Sequence, residues 1–172
     1  MSLRDMTLIA LLLAVGTVLR IIMPAYGAGM KPDVALAMLF IIIVLKPNIR
    51  VVLTAGVIAG LLAALTTGFP GGQIPNIIDK PLTSLFAFGI VTLLKDRIPN
   101  PYICYILSLI GTAFSGTVFL LSALSIVGLP APFSILFTTV VLPATVLNTI
   151  AIAVLYPVIT FSKSLVEKTR QA

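Results

Sequence analysis

Apolar residues run along this chain in long blocks, interrupted by short clusters of charge, proline and glycine. The blocks predict six membrane-spanning helices, at roughly 5–23, 33–45, 50–67, 81–94, 102–125 and 133–161. One interruption stands out. "PGGQIPNIIDKP", Pro70 to Pro81, holds three prolines and two glycines, which predicts an irregular connection rather than a continuous helix. It also holds Gln73, Asn76, Asp79 and Lys80, in a protein with only five acidic residues.

Composition turns the blocks into a fold class. Of 172 residues, 59% are hydrophobic and 9% charged, where a soluble domain carries about 25% charged residues. The expectation is an all-α integral membrane protein, one six-helix domain over 1–172. The opening "MSLRDMTLIALLLAVGTVLR" has the charged lead and apolar run of a signal peptide. It lacks a small-residue cleavage site and is read as a retained first helix. The net charge of +6 fits the positive-inside rule rather than nucleic acid. With the N-terminus inside, Arg4, Lys46, Arg50, Lys95, Arg97, Lys163, Lys168 and Arg170 fall on the cytoplasmic side, and Arg20, Lys31 and Lys80 outside. That bias predicts both termini in the cytoplasm. With no histidine, a single cysteine and no phosphate-binding GxxxxGK[ST] loop, the reading is of no metal, no cofactor, no ATP site and no enzyme.

Two predicted helices are short. Twelve residues separate Asp33 from Lys46 and fourteen separate Lys80 from Lys95. They cover about 18 and 21 Å of a hydrocarbon core about 30 Å thick. Lys46 and Lys95 can snorkel to the inner surface, which leaves the deficit at the outer ends. Lys31, Asp33, Asp79 and Lys80 then sit below the outer surface, where charge survives in a protein-lined cavity. The alternatives are local thinning of the bilayer and helices that start earlier. The cavity is preferred because both deficits fall on one side. Asn148 lies about 22 Å from Lys163 along a regular helix, also in the outer half, with Thr145 and Thr149 on its face. Pro143 should kink the sixth helix. Ser108, Thr112, Ser115 and Ser122 recur at helical spacing on the fifth, a pattern that more often serves packing.

Small residues mark two helix faces. The first helix carries Ala10 and Ala14 with Thr7 and Thr17, and the third carries Gly56, Gly60 and Ala64. Such faces allow close helix approach. The third is expected to pack inside the bundle, while for the first a partner subunit is a serious alternative.

"GMKPD" (29–33), "ALTTGFPGGQIPNIIDKP" (64–81), "FSGTVFLLSAL" (114–124) and "VLPATVLNTI" (141–150) resemble the bacterial tryptophan transporter TrpP family. That family belongs with the substrate-binding S components of energy-coupling factor (ECF) transporters. The resemblance covers nearly the whole chain, and "GGQIPNIIDKP" is its most specific part. It implies a six-helix S-component bundle in the bacterial plasma membrane, with an outward-facing pocket. It also implies a partner module of one T subunit and two ATPase subunits. Ala10 and Ala14 resemble the motif by which S components dock on the T subunit.

A zwitterionic aromatic amino acid such as tryptophan needs a cation or helix N-terminus for its carboxylate, a carboxylate for its ammonium, and an apolar slot with an acceptor for its ring N–H. Lys31 or Lys80, with Arg20 as a third candidate, can meet the carboxylate. Asp33 or Asp79 can meet the ammonium. Gln73, Asn76 or Asn148 can accept from the indole, and Ser115 is a further candidate contact. Met30, Phe69 and Phe119 can line the slot. Asp33 can equally cap the second helix, and Asp79 and Lys80 can cap or pair across the cavity. Arg20 is read as snorkelling into headgroups. The competing functions are a stand-alone carrier driven by an ion gradient and an S component for another solute such as a vitamin. The absence of tryptophan from the chain suits a protein needed when tryptophan is scarce.

Overall fold

A computed structural model describes residues 1–24 and 33–169, with side chains to 164. Met30 and Lys31 lie outside the described residues. Six helices follow in chain order: α1 (Leu3–Ile22), α2 (Val34–Leu45), α3 (Ile49–Leu65), α4 (Gln73–Leu94), α5 (Asn100–Ile126) and α6 (133–169). No strand occurs among the described residues. Four helices, α1, α4, α5 and α6, are long and apolar enough to cross a membrane, while α2 and α3 are shorter.

Local chemistry fixes most helix starts. Ser2 and Asp5 form a reciprocal capping box on α1. The side chains of Asp33 and Asn48 accept the backbone N–H of Leu36 and Arg50, capping α2 and α3. Pro99 and Pro132 stand immediately before α5 and α6, where extended backbone gives way to helix.

The burial pattern is that of a chain dissolved in lipid. On α4, Ile74, Ile77, Ile78, Leu82 and Leu85 face outward while Asn76, Asp79, Lys80, Thr83 and Ser84 are buried. The i, i+3, i+4, i+7 spacing of the polar set places it on one inward face. Helix α2 is apolar all round and buried in eleven of its twelve residues, and it packs against each of the other five helices. Its length is that of a central strut surrounded by protein.

The structure corrects the expected start of the fourth helix. Residues 73–81 are its first turns and not an irregular connection, so α4 has 22 residues and is not short. Pro75 sits in the first turn, where backbone N–H groups have no helical partner, so its missing donor costs nothing. Only "PGG" makes the turn: Gly71 has φ +72°, and a Cβ there would lie 2.6 Å from the Val127 side chain. Pro81 does lie inside the helix. Its turn is braced by the small face of α3, since a Cβ on Gly56 would come within 3.2 Å of Pro81 Cα, and one on Gly60 within 3.4 Å of Ile77 Cα. The glycines of α3 therefore pack inside the bundle, as expected.

Helices α5 and α6 each contain a widened, π-type turn, at Leu107–Gly111 and Phe137–Val141. The second directly precedes Pro143, where the sequence predicts a kink. A proline ring crowds the carbonyl four residues back, and widening that turn relieves the conflict. Gly111 receives the ring of Phe40 from α2, and Gly116 receives Val141 from α6. The first widened turn is thus held against the central α2, and the second against α5.

Candidate functional site

A partly open cleft, with a cavity volume of about 90 Å3, lies among α1, α4, α5, α6 and the start of α2. One side is ionic. Arg20 Nη1 donates to Asp33 Oδ1 at 3.1 Å, and Lys80 Nζ lies 2.8 Å from Asp33 Oδ2. Lys80 Nζ also donates to Asp79 Oδ2 at 2.5 Å and to Ser115 Oγ at 3.2 Å. Asp79 accepts further bonds from Ser115 Oγ and Thr83 Oγ1, both at 2.8 Å. Two cations and two carboxylates thus form a neutral chain, Arg20–Asp33–Lys80–Asp79, across α1, the cap of α2 and α4. Asp33 does both jobs open to it, capping α2 and pairing across the cavity.

The other side is apolar. Leu36, Phe69, Phe119, Leu120, Val140, Val141 and Ala144 line it. Phe69 and Phe119 meet edge to face, with ring centroids 5.4 Å apart and planes at 84°. Phe69 comes from the segment before α4 and Phe119 from α5, so the pair joins two walls. Both widened turns adjoin the cleft: Thr112 follows the first, and Val140 and Val141 belong to the second.

The structure gathers most of the residues picked from the sequence. Asp33, Asn76, Asp79, Lys80 and Ser115 line the cleft, as do Phe69 and Phe119. The Asn76 side chain also closes its own helix start, donating to the Gly72 carbonyl at 2.7 Å. Gln73, one turn earlier, is exposed and does not line the cleft. Asn148 is fully buried directly behind the wall, and its Nδ2 donates to Thr112 Oγ1 at 3.2 Å. Met30 and Lys31 lie outside the described residues. Arg20 requires a correction: it is only 7% exposed and points into the ion chain, not toward headgroups. Thr83, which the sequence left unassigned, and Thr112, which it read as packing, carry polar contacts. Thr83 stands four residues after Asp79, a spacing that places it on the same helix face.

The small face of α1 is exposed at Thr7, Ala10 and Ala14 and buried at Thr17. Gly16, outside that face, packs against Ala35 and Met38 of α2 with no room for a side chain. Ala10 and Ala14 do not serve packing inside the bundle.

Comparison with known proteins places the chain. The family model described as "Tryptophan transporter TrpP" matches residues 2–165. A "Probable tryptophan transport protein" of Bacillus subtilis is 46% identical over 159 residues, covering 92% of each chain. Proteins of the same description from Clostridium acetobutylicum and Clostridium perfringens are 50% identical over 156 residues and 45% over 163, covering 91% and 89% of each chain. No solved structure matches it.

Proposed function

Since the chain belongs to the tryptophan transporter TrpP family, we propose that this multi-pass protein of the bacterial plasma membrane binds tryptophan in the cleft and passes it inward. The observation that carries the reading is the pairing of a neutral, buried ion chain with an apolar aromatic wall in one cleft. A zwitterion adds no net charge to such a site, so its ammonium and carboxylate can exchange places with existing partners without leaving a bare charge. The indole has the phenylalanine pair and the aliphatic wall of α5 and α6 to lie against. Asp33, Asn76, Asp79, Lys80 and Ser115 are the head-group side of this site, with Met30 and Lys31 as further candidates from the sequence.

The cleft opens to the outside, with both termini cytoplasmic and residues 1–172 forming one domain. The protein works as an S component, drawing energy from a T subunit and two ATPase subunits. The supporting observation is the exposure of Ala10 and Ala14 on α1, a small-residue face left without an internal partner. Uptake of labelled tryptophan is measured in cells with and without the energy-coupling ATPases. Loss of uptake without them is the expected result. Undiminished uptake contradicts the S-component reading and favours an ion-driven carrier.

A further inference from the structure

Asn76 lines the cleft and is 2% exposed, yet half of its amide has no work inside the protein. Its Nδ2 donates to the Gly72 carbonyl at 2.7 Å. A backbone carbonyl accepts and cannot donate, so the nitrogen must be the atom on that side, and the orientation of the amide is fixed. Its Oδ1 accepts no hydrogen bond among the described residues. Nor is it walled in: the enclosed side-chain atoms without a partner are Asp5 Oδ1, Arg20 Nε and Asn148 Oδ1. An acceptor that is unbonded and not enclosed, on a residue lining the cleft, is presented to the cleft. Buried polar atoms have partners as a rule, so this one points to a donor on a ligand.

Its neighbours indicate which donor. Asn76 stands where the polar side of the cleft meets the aromatic wall. Gly72, whose carbonyl it holds, donates its own N–H to the Phe69 carbonyl at 3.0 Å, and Phe69 packs on Phe119. Lys80 follows one turn later on the same face of α4, about 5–6 Å away. The ion chain therefore begins one helical turn from Asn76. A ligand ammonium is drawn to the carboxylates of that chain, where charge meets charge. An uncharged donor carried by a ring against the phenylalanines meets the uncharged amide. The other polar groups nearby are engaged: Thr67 Oγ1 accepts from the Phe69 N–H, and Thr112 Oγ1 is bonded to Asn148. Asn76 is also held from behind, since a Cβ on Gly60 of α3 would lie 3.2 Å from its backbone carbonyl.

We infer that Asn76 Oδ1 accepts the indole ring N–H and sets the preference of the site for indole over aromatic rings that lack such a donor. This rests on the tryptophan reading above and adds an orientation and a specificity-determining residue. A ring without an N–H expels water from the amide carbonyl and offers nothing in return. Sites built around a hydrogen bond discriminate strongly against analogues that cannot make it.

The test compares L-tryptophan with L-3-benzothienylalanine, which replaces the ring N–H by sulfur at nearly constant shape. Dissociation constants are measured by calorimetry on the purified full chain in detergent. The wild type is expected to bind benzothienylalanine weaker than tryptophan by about tenfold or more. Two variants withdraw the amide carbonyl. Asn76→Leu fills the space, and Asn76→Ser keeps a hydroxyl able to bond the carbonyl four residues back, so the start of α4 stays closed. Both are expected to bring the two ligands within about twofold of each other, chiefly by weakening tryptophan. The ratio is taken within one protein, so loss of folded material does not mimic the effect, and the serine variant decides where the leucine variant does not fold. Equal binding of the two ligands by the wild type overturns the proposal. So does a variant that weakens both ligands by the same factor and keeps the preference. Binding of neither ligand by the wild type overturns the parent reading and this one with it.

Discussion

Lys80 Nζ lies 2.8 Å from Asp33 Oδ2, so a side chain two turns into α4 is bonded to the residue that caps α2. Through Arg20, which reaches the same Asp33, the link extends to the last turn of α1. The ion chain is therefore both a wall of the cleft and a clamp on three helices. That double role shapes what substitutions there should do.

Lys80→Met leaves Asp33 and Asp79 as buried carboxylates short of a cation. Breaking one partner of a buried pair costs about 3–5 kcal/mol. A clear fall in the thermal midpoint of the ligand-free protein in detergent is expected. Adding Asp79→Asn to that variant restores neutrality and should recover part of the loss. A midpoint unchanged by Lys80→Met contradicts the ion chain as drawn.

Gly56 of α3 has no room for a side chain, because an added Cβ meets Ser84 and approaches Pro81 Cα to 3.2 Å. Gly56→Val should destabilise by about 1–3 kcal/mol through overpacking. It should also weaken ligand binding, since the displaced segment of α4 carries Lys80. Gly89, with nothing within 4 Å of an added Cβ, is the control. Gly89→Ala should leave stability unchanged or raised, and equal damage at both positions would show that α3 and α4 do not meet as described.

Ala14 is exposed on α1. Ala14→Leu is expected to keep tryptophan affinity within about twofold of wild type, because it meets none of the cleft, while uptake falls at least tenfold, a difference of about 1.4 kcal/mol or more. Co-purification of the T and ATPase subunits reports the cause. Unaltered capture of those subunits by the variant shows that the face serves another purpose.

The sequence carried the helix count because lipid imposes long apolar blocks, and five of six helices start close to where punctuation predicts, although α6 continues past its expected end at 161 to Thr169. It misplaced the start of α4 for a physical reason. Prolines read as breakers, but Pro75 falls where no helical bond is lost, and Pro81 is supported by glycines on another helix that only tertiary packing brings beside it. The polar cluster was legible as cleft-forming because charge is costly in lipid wherever it falls. Its internal pairing was not. Which face of α1 turns inward cannot be read from a helix apolar on every side, so Arg20 looked like a headgroup anchor. The widened turns of α5 and α6 had one signal, Pro143, and Leu107–Gly111 had none.

Tryptophan binding itself is the most direct test, and the chain makes it unusually clean. It contains no tryptophan, so indole fluorescence excited at the red edge of its band comes from ligand alone. Titration of L-tryptophan with the purified protein is predicted to give a saturable blue shift of the emission, as the ring leaves water for the wall of Phe69, Phe119 and Val141. Arg20→Met and Lys80→Met should weaken it at least tenfold. An emission that stays at its aqueous position, or shifts linearly with protein and never saturates, would contradict a tryptophan site in this cleft.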